Sequence, residues 1–272
     1  GQPVSMKNIR EAAEITHRYG LPFFFDAARF AENCYFIKMR EEGYADKSVA
    51  EIAREMFSYG DGATMSAKKD AIVNIGGFVA IKDDEELYEK LTQREIQYEG
   101  FRTYGGLAGR DLEAIARGLY EGMDEKYLED RIGQTAYLGE RLKAAGVPMQ
   151  LPFGGHGIFI NAKKFLPDMD QRHFPAQALT VALYEEGGVR GVELGACAFG
   201  HTDPATGAEY LPELELLRLA IPRRVYTDRH MDFVADAFEK LMARRAEIRG
   251  LKLEYAPEIM RHFTARFSLR ER

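Results

Sequence analysis

The sequence predicts an α/β fold, on three observations: helical periodicity alternates with short apolar runs, glycines close the helical stretches, and charged residues stand at or inside the apolar runs. With 46% of its 272 residues hydrophobic and 11% aromatic, the chain has the side chains for a sizeable core, which excludes a disordered segment. Ser5 ahead of Ile9, Ala12, Ala13 and Ile15 predicts a capped amphipathic helix that stops at Gly20. The apolar run 21–25 then predicts a strand buried on both faces, with Asp26 at its carboxyl end. Residues 48–59 repeat the helix signal and stop at Gly60. The runs 63–65 and 72–75 predict two strands flanking Ser66-Ala67-Lys68-Lys69. Beyond Gly105, Gly106 and Gly109, a helical stretch runs over 111–145, broken near Gly122-Met123-Asp124.

After that stretch the rhythm changes. Segments 157–160, 189–194 and 214–221 alternate like half-buried strands, and 175–186 and 227–245 have helical spacing. The expected division is therefore a larger α/β domain with its linking helix over 1–146 and a smaller α+β domain over 147–272.

Composition excludes several classes of function. A net charge of −6 from interspersed acids and bases leaves no basic stripe for nucleic acid. Two cysteines are too few for a disulfide framework and fit a reducing compartment, by default the cytoplasm. No apolar run approaches the roughly 20 residues needed to cross a bilayer, so no membrane role is expected. The opening Gly1-Gln2-Pro3-Val4-Ser5 has neither Met nor a charged leader, and an upstream segment is expected.

Three charged residues stand out. In open α/β sheets ligands bind beyond the carboxyl ends of strands, so Asp26 is placed to face a ligand; read alone, it equally caps a helix starting at Ala27. Lys69 supplies an amine able to form a Schiff base with an aldehyde cofactor, with Ser66 and nearby amides suited to a phosphate. Read alone, Lys68 and Lys69 are a solvated pair in a turn. Arg218 interrupts the apolar run 214–221, where a guanidinium can hold a carboxylate through two parallel hydrogen bonds; the alternative is an ion pair on an edge strand. Cys197, His201 and Asp203 lack the ligand set of a zinc site.

Together these parts make an order: an acid at a strand end, a Ser-x-x-Lys about forty residues later, and a distant strand arginine. That order resembles the aminotransferase-like, fold type I, pyridoxal-phosphate enzymes, with a mostly parallel sheet in the large domain. Such a cofactor accepts carbanion electrons when its ring nitrogen stays protonated, which a buried carboxylate favours; Asp26 is matched to that task.

More specific strings resemble the β-eliminating lyases, the family of tryptophanases and tyrosine phenol-lyases. They are Gly1-Gln2-Pro3-Val4-Ser5, Asp26-Ala27-Ala28-Arg29-Phe30-Ala31-Glu32-Asn33-Cys34-Tyr35-Phe36-Ile37-Lys38, Met65-Ser66-Ala67-Lys68-Lys69-Asp70, Thr103-Tyr104-Gly105-Gly106-Leu107 and Phe174-Pro175-Ala176-Gln177-Ala178-Leu179. Leu217-Arg218-Leu219-Ala220-Ile221-Pro222 and Arg261-His262-Phe263-Thr264-Ala265-Arg266 extend the likeness to the C-terminus.

The resemblance implies that Lys69 holds the cofactor as an internal aldimine, Asp26 pairs with its pyridine nitrogen and Arg29 supports its ring oxygen. It further implies that Ser66 and Lys68 contact the phosphate, Arg218 clamps the substrate α-carboxylate, and the Asn74 carbonyl helps to bind potassium. The family's phosphate loop, cofactor-stacking aromatic residue, ring-oxygen asparagine and catalytic tyrosine are expected upstream of this chain. A homotetramer with active sites at dimer interfaces is also implied.

For substrate choice, tyrosine phenol-lyases have an arginine where Glu193-Leu194-Gly195 has Leu194, and a phenylalanine where this chain has His262. Both departures point to the tryptophanase branch, because indole presents an apolar face that would leave a buried arginine unpaired. His262 read alone is an ordinary surface or core histidine. Phe101 and Phe263 are expected to complete an aromatic wall, although Arg102 stands where the family has proline. The expected reaction is β-elimination of L-tryptophan to indole, pyruvate and ammonia. The alternatives are a tyrosine phenol-lyase, a cysteine-type β-lyase, and a non-catalytic fragment or assembly subunit.

Overall fold

The computed structural model describes residues 2–271, so Gly1 of the opening string and Arg272 lie outside the described residues. The chain divides into two units, Gln2–Ile132 and a second beginning at Gly133.

The first unit contains α1 (Met6–Arg18), β1 (Phe24–Asp26), α2 (Phe30–Arg40), α3 (Val49–Ser58), β2 (Gly62–Ser66), β3 (Gly77–Ile81), α4 (Glu85–Tyr98) and α5 (Gly109–Glu121). Local chemistry starts the first and third helices. The Ser5 hydroxyl accepts from Asn8 N, and Ser48 and Glu51 form a reciprocal capping box. Their apolar stripes bury Met6, Ile9, Ile52 and Met56 in one core with Ala63 and Met65 of β2 and Leu128.

The three strands form a sheet in the order β1-β2-β3, with β1 and β2 parallel and β2 and β3 antiparallel. The antiparallel third strand follows from a short connection, 67–76, since a parallel return needs a crossover of about a dozen residues or more. Two expectations are corrected here. The segment 72–75 is not a strand: Ile72 takes a left-handed conformation (φ 54°) just after the turns over 67–71, and the strand begins only at Gly77. Nor is β1 buried on both faces, because it is the outer strand among the described residues, and Phe24 and Asp26 are exposed.

The division falls inside one helix, α6 (Glu125–Ala144), rather than at the expected 146/147. Leu128, in its first half, belongs to the first core, whereas Leu138 and Leu142 belong to the second.

The second unit continues with β4 (Gly157–Asn161), α7 (Ala162–Phe165), α8 (Pro175–Gly187), β5 (Val192–Leu194), α9 (Ala196–Phe199), β6 (His201–Thr202), β7 (Glu209–Tyr210), β8 (Leu216–Ala220), α10 (Asp228–Ala243), β9 (Leu251–Tyr255) and β10 (Arg266–Leu269). Its main sheet is antiparallel in the order β4-β8-β5, and α8 and α10 pack together over Leu179, Leu183, Leu217 and Phe238. Pro175 at the first turn of α8 and left-handed Gly188 after it set that helix's limits. No helix of the described residues is long and apolar enough to cross a membrane.

Candidate functional site

In the first unit, Asp26 pairs in parallel register with Thr64, so Ser66 stands two residues further along the neighbouring strand. Both therefore lie at the carboxyl edge of the parallel pair, where α/β sheets bind ligands. Asp26 Oδ1 accepts from Ala28 N at 3.2 Å, a local turn, and α2 begins only at Phe30. The carboxylate is exposed among the described residues, a correction to its expected burial, because its strand has a described neighbour on one flank only.

Past Ser66 the backbone coils tightly: Ala67 N donates to Gly76 O, Lys69 N to Ser66 O and Ile72 N to Lys69 O. This coil separates the two lysines. Lys68 is exposed, while Lys69 is half-buried and its Nζ donates to Ser66 Oγ at 2.7 Å. The solvated-pair reading describes Lys68 and not Lys69.

Arg29 is half-buried at the N-cap position of α2. Asn74 sits in a bend, exposed. Phe101 is also exposed, its ring centroid 6.2 Å from that of Tyr104 in a turn closed by Tyr104 N and Gly105 N on Phe101 O.

One residue of this region went unnoticed in the sequence. Asp70 is buried, and its Oδ2 accepts from Ala31 N and Glu32 N at 2.8 and 3.0 Å. The absence of a capping side chain at Arg29 hinted that the start of α2 must be capped from elsewhere.

In the second unit, Arg218 lies mid-way along the central strand, level with Phe159 of β4 and Val192 of β5. The edge-strand alternative is overturned by that position. Its Nε is buried with no hydrogen-bond partner among the described residues, and burial pulls the guanidinium pKa down. Leu194 is level with Leu216 and, by the period of two, shares the Arg218 face.

The opposite face holds two buried carboxylates that the sequence reading missed, Glu193 (4% exposed) and Glu215 (1%). Glu193 accepts from Cys197 N and Ala198 N, both at 3.0 Å, and Glu215 accepts from Ala196 N at 2.9 Å. Burial pushes the Glu193 pKa up to about 7, the amides oppose it and the charge of Glu215 adds to it; burial raises Glu215 as well. Any side chain at position 195 would collide, since a Cβ there would lie 2.4 Å from the Glu215 carboxylate.

His262 lies in a 3-10 turn, Arg261–Phe263, with a buried Nδ1 that has no partner among the described residues. Its ring is 4.2 Å from that of Phe263, which is exposed. The turn is fastened to α9 by Arg261, whose Nε and Nη2 donate to Cys197 O and Ala196 O at 2.6 and 2.5 Å. The helix that follows Leu194 is thus held at its amides by carboxylates and at its carbonyls by the residue beside His262. Both cysteines are buried and reduced. Burial pushes the Cys34 thiol up to about 12, with Asp70 adding to it, and the Cys197 thiol up to about 11, with Glu193 adding to it.

The first unit therefore brings together Asp26, Ser66 and Lys69, and the second Arg218 and Leu194, with His262 linked to the latter through α9. A hydroxyl and an amine in hydrogen-bond contact at a strand end, with a carboxylate at the end of the neighbouring strand, could hold a phosphorylated aldehyde with a basic ring nitrogen.

A family model described as β-eliminating lyase matches residues 1–237. A tyrosine phenol-lyase of Lacrimispora saccharolytica is 54% identical over 268 residues, 98% of this chain and 57% of that protein. A tryptophanase of Salinibacter ruber is 55% identical over 265 residues, 97% of this chain and 56% of that protein. The chain thus spans a little over half the length of these curated relatives. The fold is the aminotransferase-like one: a solved structure described as SPT with a PLP internal aldimine superposes with a TM-score of 0.55 at 16% identity, over 88% of this chain and 52% of that one.

Proposed function

The chain belongs to the β-eliminating lyase family, and we propose that, within the whole protein, it supplies the cofactor lysine and substrate clamp of a pyridoxal-phosphate-dependent carbon-carbon lyase acting on L-tryptophan. The observation that carries this reading is the half-buried Lys69 amine, held by Ser66 at the strand edge that also bears Asp26. When bound, the cofactor would supply an electron sink for the bond broken at the substrate α-carbon.

The chain's own residues would do the rest. Lys69 would hold the cofactor through its amine and would also serve as the base for the substrate α-proton. Asp26 accepts the ring N–H, and Arg29 donates to the ring oxygen. Ser66 and the exposed Lys68 hold the phosphate. Arg218 turns its unpartnered buried Nε to the substrate carboxylate, which a buried guanidinium N–H requires for satisfaction.

Leu194, on the Arg218 face, offers indole an apolar wall and a phenolic oxygen no cation. His262 joins the hydrogen bonds around the leaving ring, and Phe101 and Phe263 provide aromatic surface. Indole, pyruvate and ammonia are the proposed products. A second reading, elimination of phenol from tyrosine, is favoured by the names of relatives such as the Lacrimispora protein.

Three finer features rest on the resemblance: potassium at the Asn74 carbonyl, a homotetramer with shared sites, and a cytoplasmic setting, which the two reduced cysteines suit. The test of the whole reading uses the full-length protein with pyridoxal phosphate. Indole release from tryptophan should far exceed phenol release from tyrosine. Faster phenol release overturns the substrate choice, and no release from either amino acid favours a non-catalytic segment.

A further inference from the structure

Asp70 has no part in the chemistry proposed above, yet it is a charged side chain only 2% exposed in the first unit. Two of its bonds go to Ala31 N and Glu32 N, in the first turn of α2, and its own N–H donates to Ala28 O at 3.2 Å. A carboxylate is favoured there because the opening amides of a helix have no internal acceptors and carry its positive dipole end. Arg29, at the N-cap position, gives α2 no side-chain cap of its own. The residue that follows Lys69 is therefore tied at three amides or carbonyls to the segment that begins with Asp26.

The same turn is pressed from another side. A Cβ on Gly118 would lie 1.8 Å from Ala71 O, and one on Gly122 would lie 1.9 Å from Asp70 O. No real contact is that short, so α5 and its C-cap glycine seat bare backbone on these carbonyls and stop the turn from retreating.

Resting on the reading of Lys69 as the cofactor lysine, we propose that Asp70 is a positioning residue that locks the Lys69 turn to the Asp26–Arg29 segment. Gly118 of α5 and its C-cap Gly122 form the backstop. The amine proposed to attach the cofactor and the acid proposed at its ring nitrogen are then kept at a fixed separation. Only Lys69 of the two adjacent lysines is held in the half-buried position by this arrangement.

The experiment compares the full-length protein with Asp70→Ala and Asp70→Asn, reading amide exchange, pyridoxal-phosphate affinity and the lysine labelled after borohydride reduction. In Asp70→Ala, exchange at Ala31 and Glu32 should rise about tenfold or more, the cofactor dissociation constant should rise about tenfold, and label should spread from Lys69 to Lys68. Asp70→Asn keeps an oxygen acceptor and should show the same changes to a smaller degree; if the alanine variant does not fold, it decides alone. Faster amide exchange with unchanged affinity and label confined to Lys69 makes Asp70 a helix cap only and overturns the proposal, as does unchanged exchange. Failure of the Lys69 reading is distinguishable, since it appears in the unsubstituted protein as absence of label at Lys69.

Discussion

Lys69 and Arg218, the residues proposed to hold the cofactor aldehyde and the substrate carboxylate, are held by the chain in opposite ways. Lys69 stands on a coil with no strand or helix of its own, its amine held by Ser66 and the coil anchored through Asp70 to Ala28, Ala31 and Glu32. Arg218 stands at the centre of a three-stranded sheet, where pairing with Phe159 and Val192 fixes its direction. A coil-held group depends on every anchor of the coil, whereas a sheet-held group depends mainly on itself. Substitutions near Lys69 should accordingly spread their effects, and those near Arg218 should stay local.

The largest effect tests the coil. Lys69→Ala should abolish borohydride labelling of the peptide over 62–81 and lower turnover by a factor on the order of 10³ or more. Label reappearing on Lys68 with normal turnover would break the comparison at its root. Next comes the sheet. Arg218→Lys keeps the charge but not the two-armed hydrogen bonding, and kcat/KM for tryptophan should fall roughly 10–100-fold, mostly through KM, with the cofactor absorbance unchanged. A shifted absorbance would mean that the sheet-held residue is not local after all.

Leu194→Arg sharpens the same point at the leaving group. A buried unpaired cation should cost tryptophan about 1–3 kcal/mol, about tenfold or more in kcat/KM, and cost S-alkyl cysteines less because a small thiol leaves the wall unfilled. Equal losses for both substrates would remove Leu194 from the pocket.

The smallest effect is in stability. Glu193 has a folded pKa raised to about 7 from an ordinary 4.5, so the native state binds more protons than the unfolded one between these values. Its contribution is therefore complete below about pH 4.5 and is lost as pH rises through about 7, and Glu215, also raised, has the same sign. Glu193→Gln should flatten the fall of Tm across that window; an unchanged slope would show that another group controls it.

What could be read in advance follows from the range of each interaction. Helices α1 and α3 were legible because Ser5 and Ser48 each cap an amide three residues on, and the α5–α6 break at Gly122-Met123-Asp124 is equally local. Strand β3 was misplaced by a few residues because the apolar run 72–75 hides a left-handed Ile72. Of the site, Lys69 and Arg218 stood out as charges in apolar runs. Asp70 did not, because its partners lie 38 and 39 residues away. Glu193 was legible in principle, since it caps amides only four and five residues on. Arg261 meets its carbonyls across more than sixty residues, and no local pattern announces that.

The two buried thiols have a use that their chemistry alone does not suggest. Cys34 lies in the helix that Asp70 caps, and Cys197 in the short helix that Glu193 and Glu215 hold. Burial pushes both thiols well above the ordinary thiol range, so neither is a ready thiolate, and neither is open to reagent in the folded chain. An alkylating probe can therefore reach each one only when its own helix opens. The rate at Cys34 would report the local opening of the coil-anchored region, and the rate at Cys197 that of the sheet-anchored one. The molecule thus contains a separate clock for each of the two ways it holds a charge.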